Sequence, residues 1–400
     1  MIWSNLIIVK RKFEKLTFST KSYSESTKSI RVRTVKTKGY SKSGFPLINS
    51  SGRRELGSAA GTCSAGEDYE ILYGSKPYWV CKAFFRPFST GTGSGPLKGE
   101  ELSPEWVSGF IDGEGSFTLK FIKRSGYSLG WGVEPAFTIG LHAKDLLLLE
   151  KIQAFFGVGK IAIGNNNVVF YYVSSVQELT DVIIPHFERF PLITKKKADY
   201  LLFKSALDII NSKGPKKPLT LEYLSKLVSI KGALNWGLPD VLKEAFSDIA
   251  PALRPEIKLP TEITPQWLSG FIDAEGCFYI LISKSKLYKT GASVQLQFSI
   301  TQHSRDAELV YMLKDFLKCG FIKTGKKQPV VVLTVTKFTD IQNIIIPLFK
   351  DKNTLQGAKL HDYLAFLEVA KIMEDKTHLT SIGLERIIKI KEGMNSNRKF

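Results

Sequence analysis

Glu114 and Glu275 are the residues in this 400-residue chain whose placement suggests chemistry. Each belongs to one copy of a repeated stretch, WVSGFIDGEGSF from Trp106 to Phe117 and WLSGFIDAEGCF from Trp267 to Phe278, 161 residues apart. Both copies read as helices that finish at the glutamate. A carboxylate there meets the negative end of the helix dipole, and two such groups brought together also repel. Each effect costs about 0.5–1 kcal/mol, so a compensating cation is expected. Mg²⁺, or Mn²⁺ or Ca²⁺ in its place, would take hard oxygens from Glu114 and Glu275 and from the carbonyls of Gly113 and Ala274. Such a centre could activate water and stabilise leaving oxygens at two phosphodiesters, one on each strand of a duplex. The plainer alternative, glutamates facing solvent at helix ends, leaves the duplication unexplained. Asp112 and Asp273 lie two residues earlier, about 200° round the helix. Loop positioning suits them better than metal ligation.

The elements that must position these groups are legible from spacing. Ser103-Pro104 and Thr264-Pro265 each place a hydroxyl N-cap before a proline at the first helical position. Trp106, Val107, Phe110 and Ile111 then fall at helical spacing, as do Trp267, Leu268, Phe271 and Ile272. Gly115 and Gly276 should stop the helices as C-terminal glycines do. Gly109 with Gly113, and Gly270 with Ala274, recur four apart. That stripe of small residues would let the two helices pack backbone to backbone about a pseudo-twofold axis. After each helix the period changes to two. Phe117, Leu119 and Phe121 alternate with Thr118 and Lys120, while Val294, Leu296, Phe298 and Ile300 alternate with Gln295, Gln297, Ser299 and Thr301. Further strands are expected at 161–163 with 168–173, and at 321–322 with 330–336. Helices are expected near 176–186, 195–211 and 220–234, with counterparts near 338–347, 356–373 and 380–393. Each half is therefore an α+β unit whose sheet has one apolar and one polar face.

The repeat runs through the whole of both halves. VIIPHF at 182–187 matches IIIPLF at 344–349, and Asp199-Tyr200-Leu201 matches Asp362-Tyr363-Leu364. His142 matches His303, Leu219-Thr220 matches Leu379-Thr380, and Lys231 and Asn235 match Lys391 and Asn395. Offsets that drift by only a residue or two mean equivalent elements with small loop changes. The expected organisation is a leader at 1–100, a first domain at 101–240, a linker at 241–262 and a second domain at 263–400.

The formal net charge of +18 favours a polyanionic partner. No apolar run approaches the roughly 18 residues of a spanning helix. Residues 1–50 hold 11 Lys/Arg against 2 Asp/Glu and are rich in Ser and Thr. That is the composition of a mitochondrial targeting segment, and equally of a solvated tail. Residues 50–66 and 89–95 are Gly/Ser-rich without periodicity, so the leader is read as mostly disordered. The four cysteines form no CxxC pair and indicate neither zinc nor a disulfide framework.

The two motif copies resemble the LAGLIDADG motif of homing endonucleases, with Val-Ser-Gly-Phe-Ile-Asp-Gly-Glu-Gly and Leu-Ser-Gly-Phe-Ile-Asp-Ala-Glu-Gly at its nine positions. PLITKKKADY, GALNWGL, QLQFSITQH, TKFTDI and HLTSIGLERI are similar to the single-chain, two-motif enzymes of fungal mitochondrial introns. The resemblance implies two pseudo-symmetric αββαββα units forming a saddle of antiparallel sheets, with the motif helices at the interface. It also implies metal-dependent double-strand cleavage of a long DNA target by a monomer, leaving short 3′ overhangs. Glu114 and Glu275 fall on the position where the family carries its metal-binding catalytic carboxylate. Lys196 and Lys359, each three residues before the paired Asp-Tyr-Leu, are candidates for the basic residues that the family carries around its active site. Helix-start lysines facing solvent remain an equal alternative. The paired His142 and His303 suit DNA contact or strand-end packing better than catalysis.

The polar sheet faces should read DNA. Gln295 and Gln297 suit adenine edges, Lys120 suits guanine or phosphate, and Thr138, Ser299 and Thr301 suit several partners. Lys123, Arg124, Lys284, Lys286 and Lys289, just beyond the first strands, suit phosphate. Two other readings stand beside the endonuclease. One is a maturase acting on its own intron RNA, and the other is a DNA-binding protein that has lost cleavage.

Overall fold

In the computed structural model, residues 70–73, 76–79, 102–126, 129–214, 220–326, 328–350 and 355–395 are described. The expectations for 1–69, and the leader at 80–100, lie outside them. Strands β1 (Glu70–Tyr73) and β2 (Lys76–Trp79) pair as an antiparallel hairpin, Glu70 opposite Trp79, within a unit separate from the rest.

The second unit holds both repeats. Helix α1 (Pro104–Glu114) starts as the sequence predicts, with Ser103 accepting from the Trp106 N–H, and runs directly into β3 (Gly115–Lys123). Then follow β4 (Trp131–His142), α2 (Leu146–Phe156), β5 (Lys160–Ile163) and β6 (Val168–Val173). A helix over 176–189, with a π-turn inside it, leads to α3 (Lys196–Lys213) and α4 (Leu221–Ala233). A short helix α5 (Asp240–Ala245) precedes the second copy. There α6 (Pro265–Glu275), β7 (Gly276–Lys284), β8 (Ala292–His303), α7 (Ala307–Leu317), β9 (Phe321–Thr324) and β10 (Val330–Val335) repeat the order. A helix over 338–348, with a π-turn inside it, α8 (Ala358–Glu374) and α9 (Ser381–Glu392) complete it.

The sheets are antiparallel, in the orders β3-β4-β6-β5 and β7-β8-β10-β9. Their registers correspond: Phe117 faces Phe137, and Phe278 faces Phe298. Those phenylalanines seed two separate cores. Phe117 contacts the rings of Phe137, Phe187, Tyr200 and Phe203. Phe278 contacts those of Phe298, Phe349, Tyr363 and Phe366. Periodicity placed these side chains inward, and sheet-on-helix packing buries them.

Gly115 and Gly276 stop their helices as expected, each as the C-cap, but not in a left-handed conformation; both are extended, with φ of −71° and −74°. They are glycines because a Cβ would lie 2.5 Å from Ile111 Cγ2 and 2.6 Å from Ile272 Cγ2. The helices at 176–186 and 338–347 are not regular either. Each contains a π-turn, Leu179–Ile183 or Ile341–Ile345, just before Pro185 or Pro347. A proline lacks an N–H and collides with the carbonyl four residues back, and the wider turn makes room for it. Finally, α2 and α7 did not emerge from the strand-dominated reading of the residues between β4 and β5 and between β8 and β9.

Edge strands β3 and β7 are closed by matched asparagines. Asn235 Nδ2 donates to Phe117 O (2.6 Å) and Asn395 Nδ2 to Phe278 O (3.1 Å). Both asparagines hold positive φ, and their own N–H groups donate to Asp199 and Asp362, each at 2.9 Å. The repeated Asp and Asn residues are therefore one device, used twice, that satisfies an otherwise open strand edge.

One buried group breaks the symmetry. His186, where the second repeat has Leu348, is packed among Phe155, Phe156, Phe187 and Phe190. Ser108 Oγ donates to Phe190 O (2.7 Å), so His186 Nε2 carries a hydrogen and donates to Ser108 Oγ (3.1 Å). Burial lowers the imidazole pKa from 6.5 to about 4. The unfolded chain therefore binds a proton first as pH falls. The His186 contribution is complete above pH 6.5 and is lost between about pH 6.5 and pH 4, by roughly 3 kcal/mol. His186→Leu should flatten that part of the urea-unfolding profile. An unchanged slope in the variant would refute this account.

Candidate active site and nucleic-acid interface

The two motif helices meet backbone to backbone. A Cβ on Gly109 would sit 2.0 Å from Trp267 O, and one on Gly270 would sit 1.9 Å from Trp106 O. Only glycine fits at these crossings. One turn further, a Cβ on Gly113 would lie 2.3 Å from Ala274 Cβ, 3.1 Å from Glu275 Cγ and 3.5 Å from Glu275 Oε1. The Glu275 carboxylate thus lies beside the backbone next to Glu114. Both glutamates are half-buried at the same end of the helix pair.

Asp112 and Asp273, fully buried, turn away from that end. Asp112 accepts from the N–H groups of Ile193 (2.8 Å) and Thr194 (3.1 Å), from Thr194 Oγ1 (2.6 Å) and from Trp267 Nε1 (2.9 Å). Asp273 accepts from the Gln356 N–H. These are the loops that lead into α3 and α8, so loop positioning is what both aspartates do. Burial pushes both carboxyls up, Asp273 to about 7; hydrogen bonds from Thr194 and Ile193, or from Gln356 with the Lys359 ammonium, oppose it. The seam is not symmetric, since Trp106 Nε1 finds no hydrogen-bond partner where Trp267 Nε1 does.

Lys196 and Lys359 do not point to solvent. Lys196 Nζ donates to Ile111 O (2.9 Å) and Gly113 O (2.8 Å), and Lys359 Nζ donates to Gly276 O. An ammonium at each helix end offsets the negative dipole there. Each repeat therefore brings an amine to the end of its motif helix, Lys196 on the carbonyls of Ile111 and Gly113 and Lys359 on that of Gly276, the first residue of β7.

The donor set here fits a hard cation. Glu114 and Glu275, with the carbonyls of Gly113 and Ala274, are all oxygen donors. No group of three His, Cys, Asp or Glu residues suited to a metal occurs among the described residues; around a cation on these donors, phosphate and water would complete the shell. Gly113 O already accepts from the Lys196 amine, which the sequence did not indicate, so a cation there would have to share it.

Lys120, Thr138, Gln295, Gln297, Ser299 and Thr301 fall on the polar faces of their sheets, whereas Lys123 and Lys284 are the last residues of β3 and β7, not beyond them as expected, and by alternation fall on the opposite faces. Lys120 and Glu134 are opposite each other and exposed, and Thr138 stands between Ser116 and Tyr172. Gln295 is exposed, and Gln297 and Thr301 are half-buried beside it on β8. Arg124, Lys284, Lys286 and Lys289 are exposed at the strand ends. Lys123 lies over the Trp131 ring, 5.8 Å from its centroid. Ser299 needs correction. It lies on the expected face but is buried between Cys277 and Thr334, with 8% exposure, which leaves it little access to a ligand. His142 and His303 cap the turns after β4 and β8, accepting from the Lys144 and Arg305 N–H groups at 3.2 and 3.1 Å.

Several residues of interest escaped the sequence reading. Glu134 is an acid on the polar face, and Tyr279 on β7 lies under the Lys391 ammonium at 5.3 Å. Arg254 binds Asp199 through both NH groups (2.8 and 3.0 Å) and also donates to Ala233 O and Lys195 O. Asp145 and Asp306 contact α8 and α3 across the seam. The signal for this last pair was available, because both follow the matched histidines at the motif offset of 161.

Fold and site together define a single-chain, pseudo-twofold α+β scaffold with paired carboxylates at its seam. A LAGLIDADG endonuclease family model matches residues 107–207 and 268–370, and the chain belongs to that family. "Probable intron-encoded endonuclease 2" of Neurospora crassa is 38% identical over 307 residues, 73% of this chain and 65% of its own length. "Probable intron-encoded endonuclease 3" of the same fungus is 38% identical over 286 residues, 70% of this chain and 52% of its own length. The chain thus spans about half to two thirds of these relatives. Among solved structures, the I-SmaMI homing endonuclease bound to cleaved DNA has 41% identity and a TM-score of 0.72, covering 74% of this chain and 98% of that one. I-LtrWI bound to target DNA has 36% identity and a TM-score of 0.70, with the same coverage. I-SmaMI bound to uncleaved target with calcium ions has 42% identity and a TM-score of 0.71, covering 74% of this chain and 99% of that one.

Proposed function

We propose that this chain is a site-specific, metal-dependent DNA endonuclease that cuts both strands of a long, imperfectly symmetric target as a monomer. The observation that carries this reading is the placement of Glu275 against Gly113, the residue before Glu114, at one end of the helix pair, with a lysine amine at a neighbouring carbonyl of each repeat. Residues 101–240 and 263–400 would be its two halves, and because their sheets differ in sequence the two half-targets can differ. The intron-encoded relatives and the leader's composition support a mitochondrial setting.

Phosphodiester hydrolysis forms a bond from a water oxygen to phosphorus and breaks one P–O bond, the leaving oxygen taking up a proton. A divalent cation, Mg²⁺ in this reading, supplies activated water and neutralises charge on the phosphate. Glu114 and Glu275 would hold it, with the carbonyls of Gly113 and Ala274. The Lys196 and Lys359 ammoniums, donating in fixed positions, stabilise negative charge that grows on phosphate and leaving oxygen. Asp112 and Asp273 fix the loops from which those lysines extend. Lys120, Lys123, Arg124, Thr138, Lys284, Lys286, Lys289, Gln295, Gln297 and Thr301 hold and read the duplex.

The test incubates the full chain with DNA spanning the uninterrupted insertion site of its host locus, with Mg²⁺ or with EDTA. Cutting of both strands with Mg²⁺ alone is expected. Tight binding without a cut would refute the enzyme reading for that site and favour a binding or RNA-directed role. Two substitutions separate reading from holding. Gln297→Ala should relax base preference at one position, by about 1–3 kcal/mol. Lys289→Ala should weaken all sequences alike and lower the salt slope by about one. A uniform loss in the glutamine variant, or a sequence-selective one in the lysine variant, would overturn that division.

A further inference from the structure

Both lysine-bearing helices are held at their N-termini from the opposite repeat. At the end of β8, Asp306 Oδ1 accepts from the Lys195 N–H at 2.7 Å, just before α3 and Lys196. At the end of β4, Asp145 Oδ1 accepts from the Ala358 N–H at 2.8 Å, on the first residue of α8 and beside Lys359. The two acids are 161 residues apart, so the exchange is reciprocal. Asp306 is buried and its other oxygen is held by Arg305 Nε at 3.3 Å. Asp145 also abuts Gly357, where an added Cβ would come within 3.2 Å of Oδ1. Each carboxylate faces the positive end of its helix, which favours the contact.

We infer that Asp145 and Asp306 are positioning residues, each setting the lysine of the other repeat's active site. This rests on the roles proposed above for Lys196 and Lys359. The reach from acid to amine is short: the helix start is pinned at residue 195 or 358, and the amine leaves from the next residue. A lysine displaced by about 1 Å from its phosphate can lose about 10²-fold in rate. The arrangement also ties catalysis to assembly, because neither lysine is fully placed until both repeats have docked. The nearby loops carry further support. Lys151 of the first repeat donates to Gln356 Oε1 at 2.9 Å, and Lys195 Nζ forms an ion pair with Glu308 at 3.7 Å.

The test is a strand-resolved cleavage assay of the full chain with each target strand labelled. Asp306→Ala is expected to slow one strand at least ten-fold, leave the other within two-fold, and accumulate a nicked duplex. Asp145→Ala should slow the opposite strand. Asp306→Asn, which keeps an oxygen acceptor, should cut both strands within about two-fold of the parent. DNA affinity should stay within two-fold throughout. Lys196→Ala is run in parallel, alone and combined with Asp306→Ala, and the double variant should be no slower than Lys196→Ala alone. Equal slowing of both strands by Asp306→Ala, or additive slowing in the double variant, overturns the inference. Should Lys196→Ala slow neither strand, the proposed lysine role fails instead. If Asp306→Ala does not fold, equal slowing of both strands by Asp306→Asn would still overturn it.

Discussion

Glu275→Gln is expected to abolish double-strand cleavage while leaving DNA bound. Glutamine keeps the size and one oxygen of the side chain but removes the charge that a divalent cation requires. Glu275 lies against Gly113 at the seam, so no other carboxylate in the motif can replace it. Asp273, the nearest acid in sequence, is buried and committed to the Gln356 N–H. The loss should reach about 10³-fold in the rate of cutting, with affinity changed far less, because the interaction is made in the transition state. Glu114→Gln should behave alike. Cleavage within ten-fold of the parent in both variants would rule these carboxylates out of the catalytic role.

Gly270→Ala should have the second large effect, on stability. The added Cβ would lie 1.9 Å from Trp106 O, and that neighbour is backbone inside a packed helix, not a side chain that can rotate aside. Overpacking usually costs about 1–3 kcal/mol where side chains can shift. Here the helices themselves must separate, so a loss of 3 kcal/mol or more is expected, with Gly109→Ala close to it. Gly126→Ala, where an added Cβ meets nothing within 4 Å, should change stability by less than about 0.5 kcal/mol. Urea unfolding monitored by tryptophan fluorescence reads all three. A Gly270→Ala midpoint equal to that of Gly126→Ala would show that the seam is loosely packed.

Duplication is what made so much of this readable. Any single helix ending in glutamate is ambiguous, but Gly109 and Gly270 at matched positions pointed to a shared crossing, and that crossing is where both backbones touch. Alternation in β8 assigned the faces correctly, yet not the access. Ser299 is shielded by neighbours on β7 and β10 that its own strand cannot reveal. Helix α2 was hidden because Leu146 to Leu149 is a continuous apolar run that masks any period. The reason for Gly115 was also inaccessible, because it depends on where Ile111 Cγ2 lies in the finished turn. Asp145 and Asp306 act on partners 213 and 111 residues away. No local pattern encodes such a pairing, although the repeat offset marked the two acids as equivalent.

The connector between the repeats is itself divided. Up to Ile257 it serves the first repeat: Ala252 packs on that core, Arg254 clamps Asp199, and Ile257 O receives the Lys195 amine at 2.9 Å. From Leu259 and Ile263 onward it packs into the second core. The joint between them is therefore at Lys258. A gene split or a chimaera made at that residue would hand each partner an intact core with its own anchors. A cut at 241 would strip the first half of the arginine that braces its lysine helix.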